Sequence, residues 1–313
     1  MTSTTLLLPP LKRLAADTAA ASGLLARWCA RGDRLPDAAP GRQAAIREHF
    51  QFAGTDVPVA ALTRQVDAGD AEQATWLRAD PSYVRADMAT ARLVVCGDMG
   101  LTPDDCAALV KPLKPMFGDA GFPIDAPTPT RWYLRGPPGA QLPRFSAPGD
   151  ALGDDLRAHL PQGPAAARWS ALLNEAQMVL HAHPLNRNRA ARGLPPVNSL
   201  WFFGTGVLPV FVKSTLAVTQ TRDVVVAALA QRAGIAAIAP DPERVDGKQA
   251  MLVDLDDAAG LAELSSRWAP ALDRALSDKR LTELRLAFAS GERWRIVPGH
   301  RWRFWRMVRP LAA

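Results

Sequence analysis

Residues 181–206, HAHPLNRNRAARGLPPVNSLWFFGTG, gather the side chains of this chain best suited to chemistry. His181 and His183 offer imidazoles to a divalent metal, and Asn186, Arg189 and Asn198 offer donors to a carboxylate or phosphate. Gly204, Thr205 and Gly206 close an apolar run, where backbone N–H groups at a strand end can meet a ligand. Asp98 after VVCG, and Asp254 and Asp256 in AMLVDLDD, are acids with similar strand-end placement. Together Asp98, Asp254, Asp256, His181 and His183 make an alternative metal set, fitted by type to manganese or magnesium.

Spacing argues against that set. Two residues apart on a helix, side chains point roughly 200° apart, so His181 and His183 do not converge on one ion from one helix. His183 continues the apolar face of Leu172, Leu173, Ala176, Val179 and Leu180, while His181 lies beside Asn174 and Gln177. Arg187, Arg189 and Arg192 fall where a helix C-terminus favours cations, with Gly193 as the left-handed cap. Arg189 follows Asn186 by three positions and shares its face, which leaves a small-anion site open. The Gly-x-Gly lacks its third glycine, Pro209 standing there instead, so a dinucleotide fingerprint is absent. Lys213-Ser214 follows Val212 where a phosphate loop needs glycine, and neither G-x-S-x-G nor H-E-x-x-H occurs. No catalytic residue is assigned. The candidate ligand contacts are Asn186, Arg189, Asn198, Gly204, Thr205 and Gly206, and neither metal nor cofactor is expected.

The elements that must position these groups follow from pattern. Strands are expected at Thr4–Leu8, Ala91–Asp98, Ser199–Phe203, STLAV, IAAIA and AMLVDLDD, and helices at 10–30, 58–68, 103–111 with Thr102 as N-cap, 164–183, 223–233 and 258–276. Asp257 is placed to cap the last of these. Such alternation predicts an α/β fold with a central, mostly parallel sheet flanked by helices. The end, LTELRLAFASGERWRIVPGHRWRFWRM, predicts an antiparallel hairpin turning at Pro298-Gly299, with Trp294, Ile296, Trp302 and Phe304 inward. Residues 112–149 are dense in proline, broken only by the strand-like RWYLR, and suggest a connection or lid, which divides the chain into 1–149 and 150–313 unless the two pack as one compact domain.

Composition narrows the classes. The chain has 313 residues, 48% hydrophobic, and a net charge of +6 carried mainly by dispersed arginine. Six arginines against one acid between Glu292 and Arg309 admit a nucleic-acid contact by charge and stacking, although a half-buried hairpin has the same pattern. Three cysteines without a C-x-x-C pair fit a reducing cytoplasm. The long uncharged stretch 193–212 is interrupted by Pro195, Pro196 and Pro209, which rejects a membrane span; no membrane partner is expected.

RAHLPQGPAAARWSALLNEAQMVLHAHPLNRNRAARGLPPVNSLWFFGTG, with the closing RWRFWRMVRPL, resembles the RpfE-type regulatory proteins, often labelled phosphoglycerate mutase. The pattern Asn186, Arg189, Gly193, Pro196, Asn198 is similar to a segment of archaeal-type cofactor-independent phosphoglycerate mutases, of the alkaline-phosphatase-like superfamily. That resemblance implies a phosphorylated serine and two metals held by Asp and His. An early Asp-Gly segment with its serine and a Gly-His-Asp segment are missing here, and Gly299-His300-Arg301 is not the Arg-His-Gly of the cofactor-dependent enzymes. The expectation is a regulatory or ligand-sensing protein on a degenerate mutase-like fold, a pseudoenzyme whose partner is another protein or a small anion. The alternatives are an active metal-dependent mutase or phosphatase performing phosphoryl transfer with a rearranged site, and a nucleic-acid-binding protein using the basic aromatic hairpin.

Overall fold

A computed structural model describes residues 3–16, 23–87 and 90–311. In chain order the strands are β1 (Thr4–Leu8), β2 (Asp33–Leu35), β3 (Thr75–Ala86), β4 (Ala91–Cys96), β5 (Ile124–Thr128), β6 (Arg131–Gly136), β7 (Ser199–Gly206), β8 (Val218–Gln220), β9 (Ala236–Ile238), β10 (Met251–Asp254), β11 (Leu284–Phe288) and β12 (Arg293–Ile296). They fall into two units, one formed by Met1–Gly54 with Val210–Ala313 and the other by Thr55–Pro209. The expected boundary near residue 150 therefore lies inside the second unit, which is an insertion in the chain of the first.

The first unit carries a seven-stranded sheet in the order β2-β12-β11-β1-β10-β8-β9. From β11 to β9 every pairing is parallel, whereas β12 and β2 add antiparallel at one edge. Every residue of β1 is buried, as a central parallel strand covered on both faces requires. Leu6, Leu8, Val253 and Leu286 pack with Leu25 and Trp28 of the helix Leu24–Arg31 and with Trp268, Leu272 and Leu276 further along the chain. The helix expected over 10–30 is seen as Leu11–Ala15 and Leu24–Arg31, and 17–22 lie outside the described residues. The helix expected over 258–276 is present as Ala258–Glu263 and Ala269–Ser277, joined through a π-turn at Leu264–Trp268.

The second unit is built on a different sheet. Twelve-residue β3 pairs β6 along its first half and β4 along its second, with β7 on its other side and β5 outside β6, all antiparallel. The proline-rich stretch 112–149 is not a connection; it supplies the helix Leu113–Asp119 and strands β5 and β6 to this unit. Its prolines occupy tolerant positions: Pro112 caps the helix, Pro115 lies in its first turns, and Pro127 sits on edge strand β5. Trp169 of the helix Ala166–His181 packs edge-on to Phe202 of β7, with centroids 5.3 Å apart, in a core shared with Trp132 and Phe117. No described helix is long and apolar enough to cross a membrane.

The terminal hairpin exists, but its turn is elsewhere. β11 and β12 turn at Ser290-Gly291, where Gly291 takes φ +112°, and Pro298–Trp302 is a 3-10 turn beyond the hairpin. Trp294 and Ile296 face inward as expected, whereas Trp302 and Phe304 are exposed.

Candidate functional site

A dense group of ionisable side chains in the first unit lies at the carboxyl ends of its parallel strands. Asp254 ends β10, Asp256 follows two residues later, and Thr221 and Asp223 follow β8. Strand ends at this edge are where α/β folds present ligand-binding side chains. Here they converge on a side chain of the protein itself. Arg42, the first residue of the helix Arg42–Arg47, grips Asp254 through two bonds, Nη1 to Oδ1 at 3.0 Å and Nη2 to Oδ2 at 2.8 Å. Its Nη2 also donates to Asp223 Oδ2 at 2.6 Å, and Nη1 to Asp256 Oδ2 at 3.1 Å.

Asp254 and Asp223 have further partners. Thr221 Oγ1 donates to Asp254 Oδ2 at 2.8 Å, and Asp254 Oδ1 accepts from the N–H of Asp256. Asp223 Oδ1 caps the helix Val224–Arg232, accepting from Val225 N and Val226 N. Burial pulls the Arg42 guanidinium down, but the hydrogen bond and charge of Asp254, with the charges of Asp223 and Asp256, outweigh it and hold Arg42 above its ordinary value. Burial pushes the Asp256 carboxyl up against the pull of Arg42, and the neighbouring Asp254 charge pushes the same way. The arrangement stores a fixed cation in a carboxylate cage.

A divalent metal does not fit this donor set. The carboxylate oxygens that would ligate it point at a planar guanidinium, and among the described residues no group of three His, Cys, Asp or Glu is arranged to hold a metal. Asp98 is exposed in a turn of the second unit, accepting from Gly100 N. His183 caps the helix Pro184–Ala191, its Nδ1 accepting from Leu185 N, while His181 is exposed at the end of the preceding helix. Of the alternative metal set, Asp254 and Asp256 meet at Arg42, whereas Asp98, His181 and His183 have separate places elsewhere.

The Asn/Arg/Asn corner does assemble, and the backbone engages its donors. Asn186 is buried; its Nδ2 donates to Leu180 O and Val197 O, and its Oδ1 accepts from Val197 N. Arg189, also buried, donates from Nε to Pro195 O at 2.9 Å and from Nη2 to Met99 O at 2.7 Å. Burial lowers the Arg189 pKa, and nearby Arg192 lowers it further against the pull of Asp105. Asn198 holds both backbone groups of Val84, accepting from its N–H and donating to its carbonyl. These side chains tie the helix Pro184–Ala191 and the segment before β7 to the rest of the unit.

Gly204 and Gly206 have a packing reason. The β3–β7 register shifts between Trp76 and Arg78, opposite a bulge at Gly204-Thr205, and Gly204 takes φ +69°. A Cβ on Gly206 would lie 2.4 Å from Pro58 Cβ, and one on Gly204 2.7 Å from Val59 Cβ. The glycines let the start of the helix Val59–Ala68 lie against the strand.

Sequence reasoning missed Arg42 and the interior of β3. Arg78 and Asp80, two apart and therefore on one face of the strand, form a buried ion pair, and Arg78 also reaches Thr63 Oγ1 at 3.3 Å. The i,i+2 placement in TWLRADPSY was the available signal; Arg42 had none, because its partners lie 181 to 214 positions away. The hairpin arginines offered to nucleic acid are also engaged: Arg293 pairs with Glu48 and Arg295 with Glu283.

No family model matches the chain. A probable 2,3-bisphosphoglycerate-independent phosphoglycerate mutase of Geobacter sulfurreducens is 42% identical over 62 residues, 20% of this chain and 16% of that protein. The 2,3-bisphosphoglycerate-independent phosphoglycerate mutase of Methanothrix thermoacetophila is 37% identical over 62 residues, with the same shares. The match thus spans 16% of the length of these curated relatives. Among solved structures, a cofactor-independent phosphoglycerate mutase from Thermoplasma acidophilum aligns over 96% of this chain and 90% of its own, at 14% identity and TM-score 0.40. The PH0037 protein from Pyrococcus horikoshii aligns over 95% and 87%, at 15% identity and TM-score 0.45.

Proposed function

We propose that this chain is a regulatory or ligand-sensing protein of the RpfE type, built on a phosphoglycerate-mutase-like and alkaline-phosphatase-like fold whose catalytic site has degenerated. Local similarity to phosphoglycerate mutases supports the ancestry. The observation that carries the loss of catalysis is Arg42, whose guanidinium holds Asp223, Asp254 and Asp256 where a working site would need free carboxylates. An internal cation supplies charge balance without the open coordination positions that metal catalysis requires. The side chains of the Asn186/Arg189/Asn198 corner act as tethers, so ligand contact there falls to backbone and exposed neighbours. A cytoplasmic setting suits the three free cysteines, Cys29, Cys96 and Cys106.

The test is interconversion of 2- and 3-phosphoglycerate by the purified protein with manganese or magnesium, alongside thermal-shift titration with each. No turnover and no metal-dependent stabilisation are expected. Metal-dependent mutase activity that disappears in Asp254→Ala would overturn the reading and restore the enzyme.

A further inference from the structure

The segment after the 3-10 turn inverts the usual placement of its side chains. Trp302, Phe304, Trp305 and Met307 are 63%, 76%, 68% and 78% exposed, and Val308 is exposed beside them. The arginines between them hold the segment to the body. Arg303 Nη1 donates to Asp33 Oδ1 and to Arg31 O, Arg306 Nη1 donates to Gly32 O, and Arg31 Nη1 returns a bond to Arg301 O. His300 is buried before the segment, and Leu311 packs against the core after it. The aromatic side chains are therefore presented on a loop fixed at both ends. From Arg293 onward the chain holds no acid, and Arg301 and Arg309 are exposed beside the apolar tips. A cavity of about 310 Å³ at the foot of the loop adds Arg27 and Arg31 to the same basic face; Asp273 is the single carboxylate in its lining and is bound by Arg27, as Asp33 beside the loop is bound by Arg303.

We propose that this loop docks the protein on an anionic lipid bilayer, the apolar tips entering the interface and the guanidinium groups meeting headgroup phosphates. Three features favour that occupant. The tips mix aromatic with aliphatic side chains, which an interface accepts and base stacking does not use. One face of Trp302 is already covered by Arg301, 4.8 Å from the ring centroid, and Phe304 and Trp305 meet edge-to-face at 78° rather than as a parallel platform for stacked bases. A second copy docked face to face would set arginines against arginines. Proline-interrupted 193–212 argues against a span, and a surface contact requires none.

The test is co-sedimentation of the full chain with phosphatidylcholine vesicles, with and without about 30% phosphatidylglycerol, at about 50 and about 500 mM salt. Binding is expected to the anionic vesicles only, falling at least ten-fold at the higher salt. Phe304→Ser with Trp305→Ser abolishes it, and Arg301→Gln with Arg309→Gln weakens it about 25-fold, at about five-fold for each charge near the surface. Both pairs are exposed, and unchanged thermal unfolding verifies that the variants fold. Absence of binding at low salt, equal binding to neutral vesicles, or full binding by the Phe304/Trp305 variant each overturns the proposal. So does tighter binding to a single-stranded oligonucleotide than to anionic vesicles, or a dimer in sedimentation velocity that the Phe304/Trp305 variant loses.

Discussion

Replacing Arg42 with methionine tests whether the strand-end carboxylates depend on an internal cation. The substitution keeps much of the side-chain volume and removes the charge. Asp254 and Asp256, 3% and 9% exposed, then lose their counter-ion, while half-buried Asp223 keeps its helix-capping bonds. Removing one partner of a buried ion pair costs about 3–5 kcal/mol. Partial exposure of Arg42 and proton uptake by Asp256, already pushed upward by burial, bring the expected loss to about 2–4 kcal/mol at pH 7.5. The sign of the pH effect follows. Without the pull of Arg42 the Asp256 carboxyl, already pushed upward by burial, titrates further above its unfolded value, so the native state binds more protons, and acidification from pH 7.5 toward 5.5 recovers up to about 1.4 kcal/mol per pH unit. Denaturant unfolding at both pH values measures this. The same variant frees oxygens for a metal: a site of about 1 mM affinity would gain about 1.4 kcal/mol from 10 mM manganese, whereas the parent protein gains nothing. A loss below about 0.5 kcal/mol at pH 7.5, or equal stabilisation of parent and variant by manganese, would refute the reasoning.

Asn186→Ala strands two buried carbonyls and the Val197 N–H, and thermal or denaturant unfolding is expected to show a loss of about 2–4 kcal/mol; an unperturbed midpoint would return Asn186 to the ligand-contact set. Gly206→Ala drives a methyl into Pro58, for an expected loss of about 1–3 kcal/mol by the same measurement, and a neutral result would free the Gly-x-Gly from its packing role. His49 and His300 are held below the ordinary histidine value by burial, aided at His49 by Arg293 and Arg285 against Glu48, and at His300 by Arg303 against Asp33. Both depressed values mean that the unfolded state binds protons first. Their contribution is therefore complete above about pH 6.5 and is lost as pH falls toward the folded values. A stability profile from pH 7.5 to 5 flattened by His49→Gln verifies this, and an unchanged slope contradicts it. Cys29, pushed up to about 12 by burial, is expected to react with a thiol reagent at pH 7.5 only under unfolding conditions, with rapid native-state labelling as the contrary result.

Most elements were legible because their signals are local. Thr4–Leu8 is short, apolar and β-favouring, and Thr102 and Asp257 stand where caps belong; the structure places strand and caps there. Within residues 112–149 the strand-like RWYLR is β6, whereas the helix and β5 are hidden because proline is permitted at a helix start and on an edge strand. The insertion of 55–209 into the other unit was hidden because alternating strands and helices look alike whichever sheet receives them.

The same distinction between local and long-range information explains the site. Asn186, Arg189 and Asn198 were visible as a cluster because they lie close together in sequence; Asn186 closes on its own loop through Leu180 and Val197, whereas Arg189 and Asn198 also reach Met99 and Val84, contacts that spacing does not reveal. A side chain such as Asn186, whose partners lie within its own loop, serves to fix that loop. A group gathered from distant strand ends, such as Arg42 with Asp223, Asp254 and Asp256, must be positioned by the whole sheet and is invisible to spacing. Divalent-metal sites are usually gathered in that long-range way, so strand-end acids alone could not distinguish a metal cage from a guanidinium cage. The proposed loss of catalysis rests on one arginine 181 residues from its nearest partner in sequence, and the charge at position 42 is therefore where that proposal is tested.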